Sequence, residues 1–254
     1  MSTQPLILLT NDDGYRAEGI RAAWEALEGL GELWMVAPER ERSAVAHCIS
    51  LHKPLRVREH GERQLWCSGT PTDCVYVALH HILPRKPALV VSGINEGANL
   101  AEDVTYSGTV AAALEGVIQG VPGVAASLTG IRDGKDFGGA KVLLRKVVED
   151  VLSRGLPPQT LVNLNVPTGY DASRGLRVTK LGHRHYGRCC VESTDPRGRS
   201  YVWIGGSSAK HEPHVPGSDT AATDDGVASL TPLRVDWTED ALLDTLRDWP
   251  STTA

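Results

Sequence analysis

Leu6-Ile7-Leu8-Leu9-Thr10-Asn11-Asp12-Asp13-Gly14 is an unbroken apolar run that stops on two adjacent carboxylates and a glycine. Four apolar residues with no polar alternation read as a strand buried on both faces, which belongs in a parallel sheet covered by helices. Asp12 and Asp13 at the end of such a strand repel one another once desolvated, and the usual remedy is a metal or a cationic partner. A hard divalent cation such as Mg²⁺ or Mn²⁺ prefers oxygen donors of this kind. A solvated turn in which an Asp caps the next helix is the alternative reading of the same residues.

The texture of that opening repeats over the first two-thirds of the chain. Gly19 to Leu30 is an amphipathic helix with Ile20, Ala23, Trp24 and Leu27 on one face, and Leu33 to Ala37 is a second apolar strand stopped by Pro38. Leu55 to Glu59 and Gln64 to Cys67 read as a hairpin across His60-Gly61. Thr70-Pro71-Thr72-Asp73 opens a helix, with Thr70 as cap, Pro71 first in the helix and Asp73 third; it runs to His80-His81, which suit its negative end. Ala88 to Ile94, Val124 to Leu128 and Leu161 to Val166 are strands, alternating with helices over Val110 to Gln119 and Ala140 to Leu152, while Gly130 to Gly139 is a loop. Apolar strands alternating with helices predict a Rossmann-like three-layer αβα core with a mostly parallel sheet.

After Pro167 the pattern changes, so residues 1–167 are expected to form the catalytic core and 168–254 a C-terminal extension. Leu176 to Leu181, Tyr201 to Ile204 and Val227 to Leu230 are strand-like, their connections are long, polar and without a helix, and an arginine-rich stretch surrounds Asp195-Pro196-Arg197-Gly198. Glu239 to Trp249 reads as a last helix with Leu242, Leu243 and Leu246 on one side. A β-hairpin and helix of this kind are expected to pack on the sheet or on a neighbouring subunit rather than to form a second core.

Composition narrows the classes. With 254 residues, 41% hydrophobic and 22% charged, the chain is an ordinary folded protein, and a net charge of −5 argues against wrapping duplex nucleic acid. No apolar run is long enough to cross a bilayer, and Met1-Ser2-Thr3-Gln4-Pro5 lacks the features of a signal peptide. Cysteines 48, 67, 74, 189 and 190 are odd in number and show no C-x-x-C spacing, which suits a reducing cytoplasm.

In an open parallel sheet, ligands bind beyond the carboxyl ends of the strands. Asp12 and Asp13, the loop Pro38 to Ser43, and Asn95 all follow such ends. Asp12, Asp13, the Ser43 hydroxyl and the Asn95 amide oxygen would make a set of oxygen ligands with room left for water and substrate. Tyr106-Ser107-Gly108-Thr109 just precedes a helix, where hydroxyls and free N–H groups suit a phosphate. Neither the triphosphate-binding nor the dinucleotide-binding glycine fingerprint is present.

These motifs together resemble the SurE (stationary-phase survival protein) family of nucleotidases. The resemblance is carried by Ile7 to Gly14, Val36-Ala37-Pro38-Glu39-Arg40-Glu41-Arg42-Ser43, Gly69 to Val75, Ser92-Gly93-Ile94-Asn95, Tyr106 to Ala112, Asp195 to Arg199 and Leu230 to Leu233, in that order. It implies a metal-dependent 5′-nucleotidase in which Asp12, Asp13, Ser43 and Asn95 hold one divalent ion per subunit, Mg²⁺ or Mn²⁺. It further implies phosphate contacts from Asn99, Ser107, Gly108 and Thr109, nucleoside monophosphates as substrates, and a homodimer or homotetramer with exchanged C-terminal segments. Ala101-Glu102-Asp103 and Ala228 depart from the family pattern, and they bear on loop shape and substrate preference. Base, sugar and 3′ or 5′ preference are not legible.

The metal would polarise a phosphoryl oxygen and activate a water, with Asp12 and Asp13 as the catalytic pair. The general base stays open among the acids, His47, His183 and His185. Two competing readings use the same acids. A phosphoaspartyl phosphatase would take Asp12 as nucleophile but wants D-x-D, and a receiver-type signalling domain would need a phosphoacceptor aspartate where this chain has Asn95.

Overall fold

The computed structural model describes residues 4–131, 134–185, 190–204, 210–211, 215–249 and 251. The elements in chain order are β1 (Leu6–Thr10), α1 (Glu18–Leu27), β2 (Glu32–Pro38), β3 (Val57–Gly61), β4 (Gln64–Cys67), α2 (Pro71–Val77), β5 (Leu89–Glu96), α3 (Gly108–Ile118), β6 (Gly123–Thr129), α4 (Gly138–Arg154) and β7 (Thr160–Pro167). Then follow β8 (Arg177–Val178), β9 (Arg184–His185), β10 (Cys190–Thr194), β11 (Ser200–Ile204), β12 (Lys210–His211), α5 (Asp219–Asp224), β13 (Ser229–Arg234) and α6 (Leu243–Arg247).

The main sheet runs β3-β4-β2-β1-β5-β6-β7-β13-β8. Its six central strands, β4 to β7 in that order, are parallel, with β3 antiparallel at one side and β13 antiparallel beside β7. The first half winds outward from β1 and the second outward from β5. This is the doubly wound order, and its switch point lies between β1 and β5.

Successive residues of β1 feed opposite layers. Ile7 and Leu9 pack with Ile20 and Leu27 of α1 and Leu144 and Val148 of α4, whereas Leu8 packs with Val36, Val75 and Ala112 on the side of α2 and α3. Leu6 to Leu9 are wholly buried, each contributing about 1.5–3 kcal/mol of burial free energy. The run is continuous because both faces of the strand are covered.

Helix α2 starts as its sequence predicts: the Thr70 hydroxyl accepts from the Asp73 N–H, and the Asp73 carboxylate accepts from the Thr70 N–H. A π-helical turn, Ala78–Ile82, carries it on to His80 and His81.

The C-terminal part differs from its sequence reading in four places, the first being that the strand expected over Leu176 to Leu181 is confined to Arg177–Val178. A helix, α5, lies in a stretch expected to have none; it is capped by Ser218 and is too short to show an apolar period. The strand expected over Val227 to Leu230 lies over Ser229–Arg234, pairing with β7 across all six residues. Pro232 is tolerated there because β8 pairs only with Ser229 and Leu230, which leaves an open edge beyond them. The last helix is short, preceded by a 3₁₀ turn at Asp240–Leu242, and Leu242 of the turn and Leu243 and Leu246 of the helix are exposed. Strands β10 and β11 form a separate two-stranded ribbon, turned at Asp195, whose carboxylate accepts the N–H groups of Arg197 and Arg199. Among the described residues no helix is long and apolar enough to cross a membrane.

Candidate active site

At the switch point the chain leaves β1 through Asn11, Asp12 and Asp13. Gly14 turns it back with φ of +100°, and a side chain there would press on the Arg40 backbone at 3.1 Å. The Asn11 amide donates to the Gly14 carbonyl at 3.0 Å, so the turn is held from within. Asp12 is buried at 4% exposure and faces the N-terminus of α3. The Thr109 hydroxyl donates to its Oδ1 at 2.5 Å, and the Thr109 N–H adds a second bond.

Helix α3 approaches this closely only because Gly108 has no side chain. A Cβ on Gly108 would stand 2.8 Å from Asp12 Cβ and 2.9 Å from its Oδ2. Ser107 caps the helix by accepting the Val110 N–H at 3.1 Å. Asp13 is half-buried, and its Oδ2 accepts the Glu96 N–H at 3.1 Å.

Burial pushes the Asp12 carboxyl up, against the bonds from Thr109. Burial first, and then the neighbouring Asp12 charge, push Asp13 up to about 7. Two adjacent carboxylates, each raised mainly by loss of water, want a positive charge between them.

Both acids open onto a cavity of about 1390 Å³, whose walls also include Ser43, Asn95, Asn99 and Ser107. Gly108 and Thr109 stand behind Asp12. The eight candidate residues therefore come together from the ends of β1, β2 and β5 and from the start of α3. Asn95 follows a register shift between β5 and β6 at Ser92/Asn95, a bulge that the sequence does not announce, and its amide donates to the Gly97 carbonyl at 2.8 Å. The Ser43 hydroxyl donates to Glu41 at 2.9 Å. Asn99 is fixed through Ser127, Asn163 and Asn165, a buried amide cluster absent from the sequence reading.

Glu18, Glu41, Glu96 and Asp103 also line this cavity, against the cations Arg16 and Lys135; Lys135 is paired with Glu96 at 2.5 Å. An anion entering so acidic a space needs a further positive charge. Among the described residues no cluster of three or more His, Cys, Asp or Glu is arranged for a metal. A cation here would therefore rely on two carboxylates and neutral oxygens, a donor set that fits Mg²⁺ or Mn²⁺ and not Zn²⁺.

Two of the three histidines considered as bases lie elsewhere. His47 is bound to Glu115 at 2.8 Å and His183 to Glu102 at 2.7 Å, and neither lines the cavity. The side chain of His185 and the whole of Cys189 lie outside the described residues. Cys190 and Ile204, at the base of the β10–β11 ribbon, reach the cavity rim.

With this geometry in place, similarity to known proteins is specific. The family model described as "Survival protein SurE" matches residues 7–188. The chain is similar to "5'-nucleotidase SurE" of Myxococcus xanthus (strain DK1622), at 50% identity over 252 residues that cover 98% of this chain and 95% of the relative. It is 49% identical to "5'-nucleotidase SurE" of Anaeromyxobacter dehalogenans (strain 2CP-C), over 96% of this chain and 95% of that one. A solved structure titled "Crystal Structure of Sure Protein from Aquifex aeolicus" superposes with a TM-score of 0.84 at 38% identity, covering 96% of this chain and 98% of that one.

Proposed function

This chain belongs to the SurE family, and from that premise we propose that it is a 5′-nucleotidase, a phosphoric monoester hydrolase acting on nucleoside 5′-monophosphates with one divalent cation, Mg²⁺ or Mn²⁺, per subunit. The observation that carries the reading is the Asp12–Asp13 pair, raised by burial, with Asp12 packed against the start of α3 and both acids opening onto an acidic cavity. Asp12, Asp13, Ser43 and Asn95 would hold the cation. Such an ion, when bound, polarises a phosphoryl oxygen and lowers the pKa of water.

The chain's own residues do the rest. Thr109 holds Asp12 in one orientation, and the Glu96 N–H does the same for Asp13. The Ser107 cap and the first N–H groups of α3 form the positive end of a helix dipole, beside which Asn99, Ser107, Gly108 and Thr109 would border the phosphate. A bound cation would draw Asp13 back toward its ordinary ionisation, which suits a ligand better than a base. Inorganic phosphate release, measured over a panel of nucleoside 5′- and 3′-monophosphates and simple phosphate esters, tests the reading. Preference for 5′-monophosphates supports it, and equal or absent turnover of all of them overturns it.

The same reading assigns residues 1–167 to the catalytic core and 168–254 to assembly, as a homodimer or homotetramer with exchanged C-terminal segments. In support, the β10–β11 ribbon leaves Val202, Trp203 and Ile204 exposed, Trp237 is 80% exposed, and Leu242, Leu243 and Leu246 are only partly covered within the subunit. Light scattering at micromolar concentration checks it: a fully active monomer would remove the assembly role.

A further inference from the structure

Glu115 is the one acid in α3, a helix otherwise made of small and apolar residues, and it is 5% exposed. A carboxylate buried there is costly unless it is paired and hydrogen-bonded. Its Oε2 meets His47 Nε2 at 2.8 Å, and its Oε1 accepts from Gln119 at 2.9 Å. Burial pushes this carboxyl up, yet the bonds from His47 and Gln119 outweigh it and hold the group below its ordinary value.

His47 lies in the segment that carries Ser43. Within it Ala44 and Ala46 both adopt the left-handed region, at φ of +56° and +51°, which a residue with a side chain seldom takes. Two such residues within one short segment persist only where the surroundings hold them. Backbone ties do part of this: the Arg42 N–H donates to the Asp12 carbonyl at 2.7 Å, and the Ala46 N–H to the Tyr106 carbonyl at 3.1 Å. The Cys48 carbonyl accepts the Thr70 hydroxyl, and the Ser50 N–H donates to Asp73. The His47–Glu115 pair adds a side-chain tie to α3, the helix that also orients Asp12 through Thr109.

We propose that His47 and Glu115 are positioning residues that bolt the strained Ser43 segment onto α3 and thereby set Ser43 in register with Asp12. The inference rests on the reading of Ser43 and Asp12 as cation ligands. Neither His47 nor Glu115 touches substrate. The pair acts by holding two parts of the cation site to one helix.

The test uses full-length protein stripped of metal, with His47→Gln, Glu115→Gln and the double variant. The double variant leaves no unpaired buried charge and carries the test if a single variant fails to fold. Free Mn²⁺ is read by electron paramagnetic resonance during titration, steady-state turnover of a nucleoside 5′-monophosphate is measured at saturating Mn²⁺, and exchange of the Ala46 amide is followed by hydrogen–deuterium exchange. The Kd for Mn²⁺ should rise roughly tenfold in each variant, with the double no worse than the singles. KM should rise while kcat stays within about twofold. The Ala46 amide should exchange faster, with or without metal. Variants that bind Mn²⁺ like the wild type and keep its KM, losing only thermal stability, would reduce the pair to packing and overturn the proposal. Loss of kcat with Mn²⁺ affinity intact would also overturn it, by placing His47 in the chemistry. A wild-type protein that binds no Mn²⁺ would instead fail the cation reading itself, and the bolt with it.

Discussion

Replacing Asp13 by Asn should make the cation-free protein more stable, although it should cripple the enzyme. Asn keeps the shape of the side chain and an oxygen to accept the Glu96 N–H, but it removes a charge that burial and Asp12 oppose. The Asp13 carboxyl is pushed up from 3.8 to about 7 in the folded chain. A carboxyl raised on folding imposes no penalty below its unfolded pKa. The penalty grows as pH climbs between the two values and levels off above the folded one. By linkage, Asp13→Asn should stabilise the chelated protein by about 4 kcal/mol near pH 8 and by about 2 kcal/mol near pH 5. Titrating groups that do not interact with Asp13 cancel when variant and wild type are compared at each pH, and Asp12, relieved of its neighbour's charge, shifts in the same stabilising direction. Urea unfolding in excess chelator, extrapolated to water at both pH values, measures the difference. Saturating Mg²⁺ should reverse the order, because a cation bound only by the folded wild type stabilises it by mass action. A variant that is less stable than wild type near pH 8 in chelator, or a difference that does not shrink near pH 5, would refute the reasoning.

Gly108→Ala places a methyl group 2.8 Å from Asp12 Cβ, so the carboxylate must move. We expect kcat/KM to fall about 100-fold and stability by about 1–3 kcal/mol, read by steady-state kinetics and urea unfolding. Asn95→Asp adds a third carboxylate to the proposed ligand set; calorimetry should show tighter Mn²⁺ binding, and kinetics a higher KM, because the added charge repels the phosphate dianion. Unchanged binding of both would remove Asn95 from contact with the cation.

The parallel core is legible because its signals are local. The apolar runs Leu6 to Leu9 in β1 and Leu89 to Val91 in β5 reflect cover on both faces, and the Thr70–Pro71–Asp73 start of α2 is a three-residue chemical pattern. The switch-point rule gathers Asp12, Ser43 and Asn95 from distant parts of the chain, and the structure places them around one cavity. Features set by long-range packing leave no such trace. Asp12 and Thr109 are 97 residues apart and His47 and Glu115 are 68 apart, so neither contact can be read from spacing. The bulge before Asn95 is imposed by how β5 meets β6. Helix α5 is decided by a Ser218 cap and by the Asp219 carboxylate, which accepts the Ala101 and Gly182 N–H groups, rather than by apolar period.

The central claim is that Asp12 and Asp13 work by holding a divalent cation. The most direct measurement is phosphate release from a nucleoside 5′-monophosphate by metal-stripped protein, with single cations restored, alongside Asp12→Asn. Chelation should abolish turnover, Mn²⁺ or Mg²⁺ should restore it better than Zn²⁺, and Asp12→Asn should stay nearly inactive at every cation concentration. Full turnover in excess chelator, or an Asp12→Asn protein as active as wild type, would contradict the account.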